Sequence, residues 1–175
     1  MKNLYLKIID KFNRIETIER FTEKGLPYIK TIDLYAGQDY NESAFEAHLF
    51  PALFVKWSID YLQNPPSALL TFRVCWEQLR DTSSLNETPE EALRFMDFIN
   101  LVDEVLKEIE TEHTSKFTLL SEELNIEDTI TDTHSLNYRC SYTGKSKIAK
   151  TNYQAGAIDE VQQEGTIFTT VDVIS

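Results

Sequence analysis

Glycine is scarce in this 175-residue chain, with five residues scattered along it, and none of them forms part of a phosphate-cradling loop. HExxH, GxSxG and calcium-loop patterns are missing as well. Cysteine is limited to Cys75 and Cys140, far apart and without a CxxC pair. The two therefore read as small core or half-buried thiols rather than as a redox or zinc motif. No apolar run approaches the roughly 18 residues of a membrane span. The N-terminal residues Met1 to Tyr5 lead into a charged periodic segment, not the continuous apolar stretch of a signal peptide, so synthesis in the cytoplasm is expected. Two glycosylation sequons, at Asn41 and Asn86, are then coincidental.

Basic residues are also in deficit. Seventeen Lys and Arg stand against 29 Asp and Glu, a net charge of -12. Tight, nonspecific grasping of nucleic acid needs clustered cations and is disfavoured. The three histidines, His48, His113 and His134, are far apart in sequence. His134 reads as a strand-end residue and His48 as a loop residue. The acidic group Glu122, Glu123, Glu127, Asp128 and Asp132 lacks the spacing and glycine of a calcium site and reads as a solvated loop. No catalytic constellation emerges. The chain reads as a non-enzyme with no cofactor and no metal.

The strongest pattern lies between Phe50 and Trp76. Leu53, Val55, Trp57, Ile59 and Tyr61 alternate with Lys56, Ser58 and Asp60, and Leu70, Phe72, Val74 and Trp76 alternate with Thr71, Arg73 and Cys75. Period-two alternation predicts two half-buried strands. The Leu62–Ser67 stretch, with Pro65 and Pro66, predicts the turn of an antiparallel hairpin at the centre of a sheet. Upstream, Leu4, Ile8, Phe12, Ile15 and Ile18 form one apolar stripe, predicting a helix over residues 3–23 that Gly25 and Pro27 terminate. Residues 28–35 predict a first strand. Thr88, Pro89 and Glu91 carry the signature of a capped helix start. Leu93, Met96, Ile99, Val102, Leu106 and Ile109 extend that helix to about residue 110. His134 to Tyr142 alternate again and predict a late strand.

The fold class expected is α+β: a mainly antiparallel sheet with two long helices packed on it, followed by an extended C-terminal arm. The core is assigned to Leu53, Val55, Trp57, Ile59, Leu70, Phe72, Val74, Trp76, Met96 and Ile99. Residues 1–143 make the core domain and residues 144–175 the arm. Within the arm, Ile167, Phe168, Val171 and Val173 have the β-propensity of a strand that adds to another sheet edge.

The order helix, strand, hairpin, capped helix, strand, arm resembles the tail-terminator or tail-completion proteins of long-tailed bacteriophages. The residues that carry the resemblance are Ile32-Asp33-Leu34-Tyr35-Ala36-Gly37-Gln38 ahead of Phe50-Pro51-Ala52-Leu53-Phe54-Val55, and Phe117 with Leu119 and Leu120 before the last strand. The likeness spans residues 1–143. It implies a virion structural protein made in the host cytoplasm. It further implies a homo-oligomeric ring, commonly of six, at the head-proximal end of the tail tube. There it would contact tail-tube and neck proteins, and DNA would pass through its lumen without tight binding. An acidic chain suits a lumen that does not grip DNA. The alternative reading is a small acidic cytoplasmic adaptor or immunity-type binding protein.

Overall fold

A computed structural model describes residues 1–40, 50–76, 83, 85–125 and 132–144. The arm residues Ile167, Phe168, Val171 and Val173 lie outside the described residues, as do His48, Glu127 and Asp128.

The chain opens with helices α1 (Lys2–Phe12) and α2 (Ile15–Glu23). Five strands follow: β1 (Thr31–Leu34), β2 (Ala52–Asp60), β3 (Ser67–Cys75), β4 (Thr118–Asn125) and β5 (Thr133–Ser141). A single helical turn, α3 (Pro89–Ala92), and helix α4 (Arg94–Lys107) stand between β3 and β4. The fold class is α+β. The sheet order is β1-β2-β3-β5-β4. The predicted hairpin is present, with Val55 opposite Phe72 and Trp57 opposite Leu70. β3 takes the central position between β2 and β5.

The sheet is mixed, because β1 pairs with β2 in parallel while the other three pairings are antiparallel. A parallel neighbour requires a crossover connection of a dozen residues or more, and residues 35–51 provide one.

The single N-terminal helix expected over residues 3–23 is instead two. Arg14 adopts an extended conformation (φ -69°, ψ 140°), and its carbonyl accepts the N–H groups of Thr17 and Ile18, restarting the helix. The restart rotates the apolar stripe. Leu4, Ile8 and Phe12 are buried from α1, but α2 buries Thr17 and Phe21 and leaves Ile15 73% exposed. The end of α2 follows the sequence closely. Gly25 sits at φ +65°, its N–H reaches the Thr22 carbonyl, and the Leu26 N–H reaches the Phe21 carbonyl. That is the paired closure of a glycine-terminated helix.

The second long helix is also divided. Thr88 precedes Pro89 as expected, but its side chain makes no capping bond; its N–H is held instead by Asn86 Oδ1 at 3.0 Å. The turn α3 ends at Leu93, and α4 restarts there: Ile99, Val102, Leu106 and Ile109 of the expected stripe are buried, and Phe95, Phe98, Leu101 and Val105 are buried with them. Met96, assigned to the core, is 51% exposed, and Leu93 is exposed too. Leu93 and Met96 fall outside the buried face because it is centred on the bulkier Phe95 and Phe98, each about 100° around the helix from one of them.

α1, α2 and α4 all pack on one face of the sheet. Leu53, Val55, Leu70, Phe72, Val74 and Ile99 are buried there with Leu136 and Tyr138. Trp57, Ile59 and Trp76 are only half-buried and pack against the margin of this core, Trp57 beside Tyr5 of α1 and Trp76 beside Phe98 of α4. Tyr61, expected inward, is exposed. Three aromatic rings, Phe72, Tyr138 and Phe117, meet at centroid distances of 5.6–5.9 Å. The Tyr138 hydroxyl donates to Asp103 Oδ1 of α4 at 2.7 Å. Burial pushes the Tyr138 phenol upward, and the Asp103 carboxylate adds to the effect, so the hydroxyl stays a donor. On the outside, Arg20 of α2 bonds Glu104 of α4 and Glu108 at its C-terminal end, and Lys11 of α1 reaches Glu108 at 2.6 Å. Partial burial alone would raise the Glu108 carboxyl, but bonds from Lys11 and Arg20 outweigh it and hold the group below its ordinary range.

Cavity energetics then rank two neighbouring positions. Phe72→Ala should cost about 3–5 kcal/mol, as for other buried aromatics. Trp57→Ala should cost less, because Trp57 is not enclosed. Thr88→Ala should change stability by about 0.5 kcal/mol or less, in the range of surface substitutions without a specific partner. Urea melts of the three variants check the order.

Candidate interaction surfaces

The register of the sheet decides what its second face carries. Opposite the helices point Ala52, Phe54, Lys56 and Ser58 of β2, Leu69, Thr71, Arg73 and Cys75 of β3, and Asn137 and Arg139 of β5. One end of this face is covered. Ala52, Phe54 and Cys75 form a small second core under Tyr35 and Phe50. Alternation alone placed Cys75 among outward residues, yet both cysteines are buried.

A polar latch holds the chain over that end. Arg73 Nε donates to Asp39 Oδ2 at 2.7 Å, and Arg73 Nη2 lies 2.5 Å from the same oxygen. The guanidinium faces the rings of Tyr35 and Tyr40, at 5.1 and 5.9 Å from their centroids. The Asp39 side chain is fully buried, and its Oδ1 has no hydrogen-bond partner among the described residues. Gln38 completes the turn by donating to the Leu34 carbonyl at 2.7 Å and accepting from the Ala36 N–H at 2.6 Å.

The other end of the face is open. Thr71 Oγ1 and Asn137 Oδ1 are 2.8 Å apart, and Asn137 Nδ2 donates to Ser121 Oγ at 3.2 Å. This gives a polar rung across β3, β5 and β4. It floors a depression of about 350 Å³, walled by Lys56, Ser58, Leu69 and Leu120. Leu69 and Leu120 are exposed large apolar side chains, and a register shift between Leu119 and Ser121 puts Leu120 at a bulge. The strand β4 itself corrects the expectation that Ser121 onwards is a solvated loop: Glu122 and Glu123 lie within it. At a sheet edge, charged residues are compatible with a strand because the outer side meets water.

A second feature opens on the helix side of β4. Phe95, Met96, Ile99 and Asn100 of α4 and Glu122, Leu124 and His134 of the sheet enclose a groove of about 210 Å³. Both ring nitrogens of His134 are buried and, among the described residues, without a hydrogen-bond partner; the Glu122 carboxylate stands 3.8 Å from Nε2. Burial lowers the His134 pKa, and the weaker pull of Glu122 towards the charged form does not reverse it.

Among the described residues, no group of three or more His, Cys, Asp or Glu side chains is placed to hold a metal ion. No helix among them is long and apolar enough to cross a membrane. Compared with protein-family models the chain matches none, and compared with curated proteins it matches none either. The surfaces themselves therefore carry the functional reading. Sequence reasoning missed the latch, the open rung and the groove. Each joins residues distant in sequence, and only the odd polar residue in a strand, Arg73 or His134, hinted at them.

Two outcomes follow. Arg73→Met should destabilise the chain by about 3–5 kcal/mol, since it strips the cation from a fully buried carboxylate; denaturant melts measure it. For His134 the folded pKa lies below the ordinary imidazole value, so the folded state binds fewer protons than the unfolded one. Its contribution is fully present above about pH 6.5 and is lost as pH falls below that value. His134→Leu should therefore flatten the decline in unfolding free energy between pH 7 and pH 5, roughly the range set by that pKa. An unchanged slope in urea melts across this window would contradict the assignment.

Proposed function

We propose that this chain is a structural subunit that works by self-association. The observation that carries this reading is the one-sided cover of the sheet. Three helices protect one face, while one half of the other face and the edges β1 and β4 meet no further element among the described residues. Sheet edges and uncovered faces are what a closed assembly buries between copies. The most specific form of the reading is a ring of six that terminates the tail tube of a long-tailed bacteriophage and joins it to the neck. The order of elements and the net charge of -12 support it. A negative lumen would let DNA pass without gripping it.

The adaptor alternative predicts a different molecule: a monomer or dimer that captures a basic partner. Native mass spectrometry and negative-stain microscopy of the purified full chain separate the two. Closed rings of uniform subunit number are expected. A chain that stays monomeric across a wide concentration range, and in particles contacts no copy of itself, would overturn the proposal.

A further inference from the structure

We infer that the open half of the sheet's second face seats a second copy of this chain, which sets the acidic surface around α3 against Lys56 and Arg139. The inference rests on the self-association reading and names the contact that would join one subunit to the next.

The open half presents donors. Lys56 and Arg139 are exposed there on either side of β3, and neither has an ion partner among the described residues. The polar rung between them has a direction. The Thr71 hydroxyl donates to Asn137 Oδ1, and Asn137 Nδ2 donates to Ser121 Oγ. Ser121 thus accepts from within the sheet and keeps its own proton for an acceptor outside it. The two carboxylates of this face do not supply that acceptor. Asp60 is turned into the hairpin turn, accepting from the Leu62 N–H and Gln63 Nε2, and Glu123 lies on the β4 edge towards the covered end. Leu69 and Leu120, both exposed, wall the depression. An occupant must therefore bring carboxylates with apolar side chains beside them.

The chain carries such a surface itself. Glu87, Glu90, Glu91 and Asp97 are exposed and have no ion partner among the described residues, whereas Glu104 and Glu108 are already held by Arg20 and Lys11. Leu85 and Leu93 are exposed in the same stretch. This surface cannot serve its own copy. α3 runs directly into α4, which packs on the opposite face of the sheet, and Arg94 ties that junction to the Gly25 carbonyl at the end of α2. The whole thickness of the sheet separates these carboxylates from Lys56 and Arg139.

Charge decides how two copies meet. Chains of net charge -12 repel one another at a distance, so a stable contact has to place free cations against free carboxylates. Two open faces laid together would set donors against donors. The contact is therefore heterologous: each copy gives its α3 surface and receives another's on its sheet. Contacts of this kind close into rings where the rotation between copies allows.

Charge reversal in the full-length chain tests this. One variant carries Lys56→Glu and Arg139→Glu, the other Glu90→Lys and Glu91→Lys; all four positions are exposed. Thermal melts first establish that both fold as the parent does. Native mass spectrometry and sedimentation then read association at matched concentration. Each variant alone should associate at least about tenfold more weakly than the parent, because like charges now meet across the contact. An equimolar mixture should recover association as heteromers, because each variant supplies the charge that the other has reversed. Lys56→Arg with Arg139→Lys, which keeps both cations, should retain the parent's oligomer. An oligomer unchanged in either reversed variant would overturn the inference, and so would a mixture of the two folded variants that stays dissociated. Rings that form despite both reversals would leave self-association standing and remove this contact. An unmodified chain that stays monomeric would remove the self-association reading and this contact with it.

Discussion

The packing of α4 across β3 and β5 is the constraint on which the rest of the structure depends. Phe72, Tyr138 and Phe117 gather at the middle of that contact, and the Tyr138 hydroxyl fixes the helix to the sheet through Asp103. At the end of β3, Trp76 meets Phe98 of α4 at 4.4 Å, and Phe98 in turn meets Phe21 of α2 at 5.5 Å. Aromatic contacts of this kind contribute both large buried area and directional preference. Because all three helices are used on one face, nothing remains among the described elements to cover the other except the turn at residues 35–40. The Asp39–Arg73 latch holds that turn down, and the sheet beyond it stays open.

The parts of the fold legible in the sequence are those set by local pattern. The hairpin was legible because alternation over nine residues on each side fixes the facing, and a slip of one residue would turn Phe72 and Leu70 to water. The end of α2 was legible because Gly25 occupies a left-handed conformation that few other residues adopt. The helix breaks at Arg14 and Leu93 were not. Neither is a proline or a glycine, and each break exists to turn a better-packing face inward: Phe21 in place of Ile15, Phe95 and Phe98 in place of Leu93 and Met96. β4 escaped notice for a related reason. Its acidic residues suit an edge strand and a loop equally, and only pairing with β5 distinguishes them.

The surfaces were less legible than the core. Arg73 was visible as a polar residue in an alternating strand, but its partner Asp39 lies in a turn whose position depends on the crossover to a parallel strand. His134 aligned with the inward set of β5, which is where it lies, but the groove beside its ring depends on Met96 facing outward rather than into the core. A site built from such departures is invisible to periodicity, because periodicity reports the face that a residue would take if its element were continuous.

Edge protection gives the open surfaces a direction. β1 is a short strand of four residues, and short edges recruit few partners. β4 is longer, yet its middle carries Glu122 and Glu123, and its start is interrupted by the bulge at Leu120. Charge and bulging are two of the ways that sheets discourage indiscriminate pairing. Neither operates at Leu124, where the edge becomes apolar next to Met96 and the His134 imidazole. An edge guarded along most of its length and apolar at one end excludes strands that would add in any register.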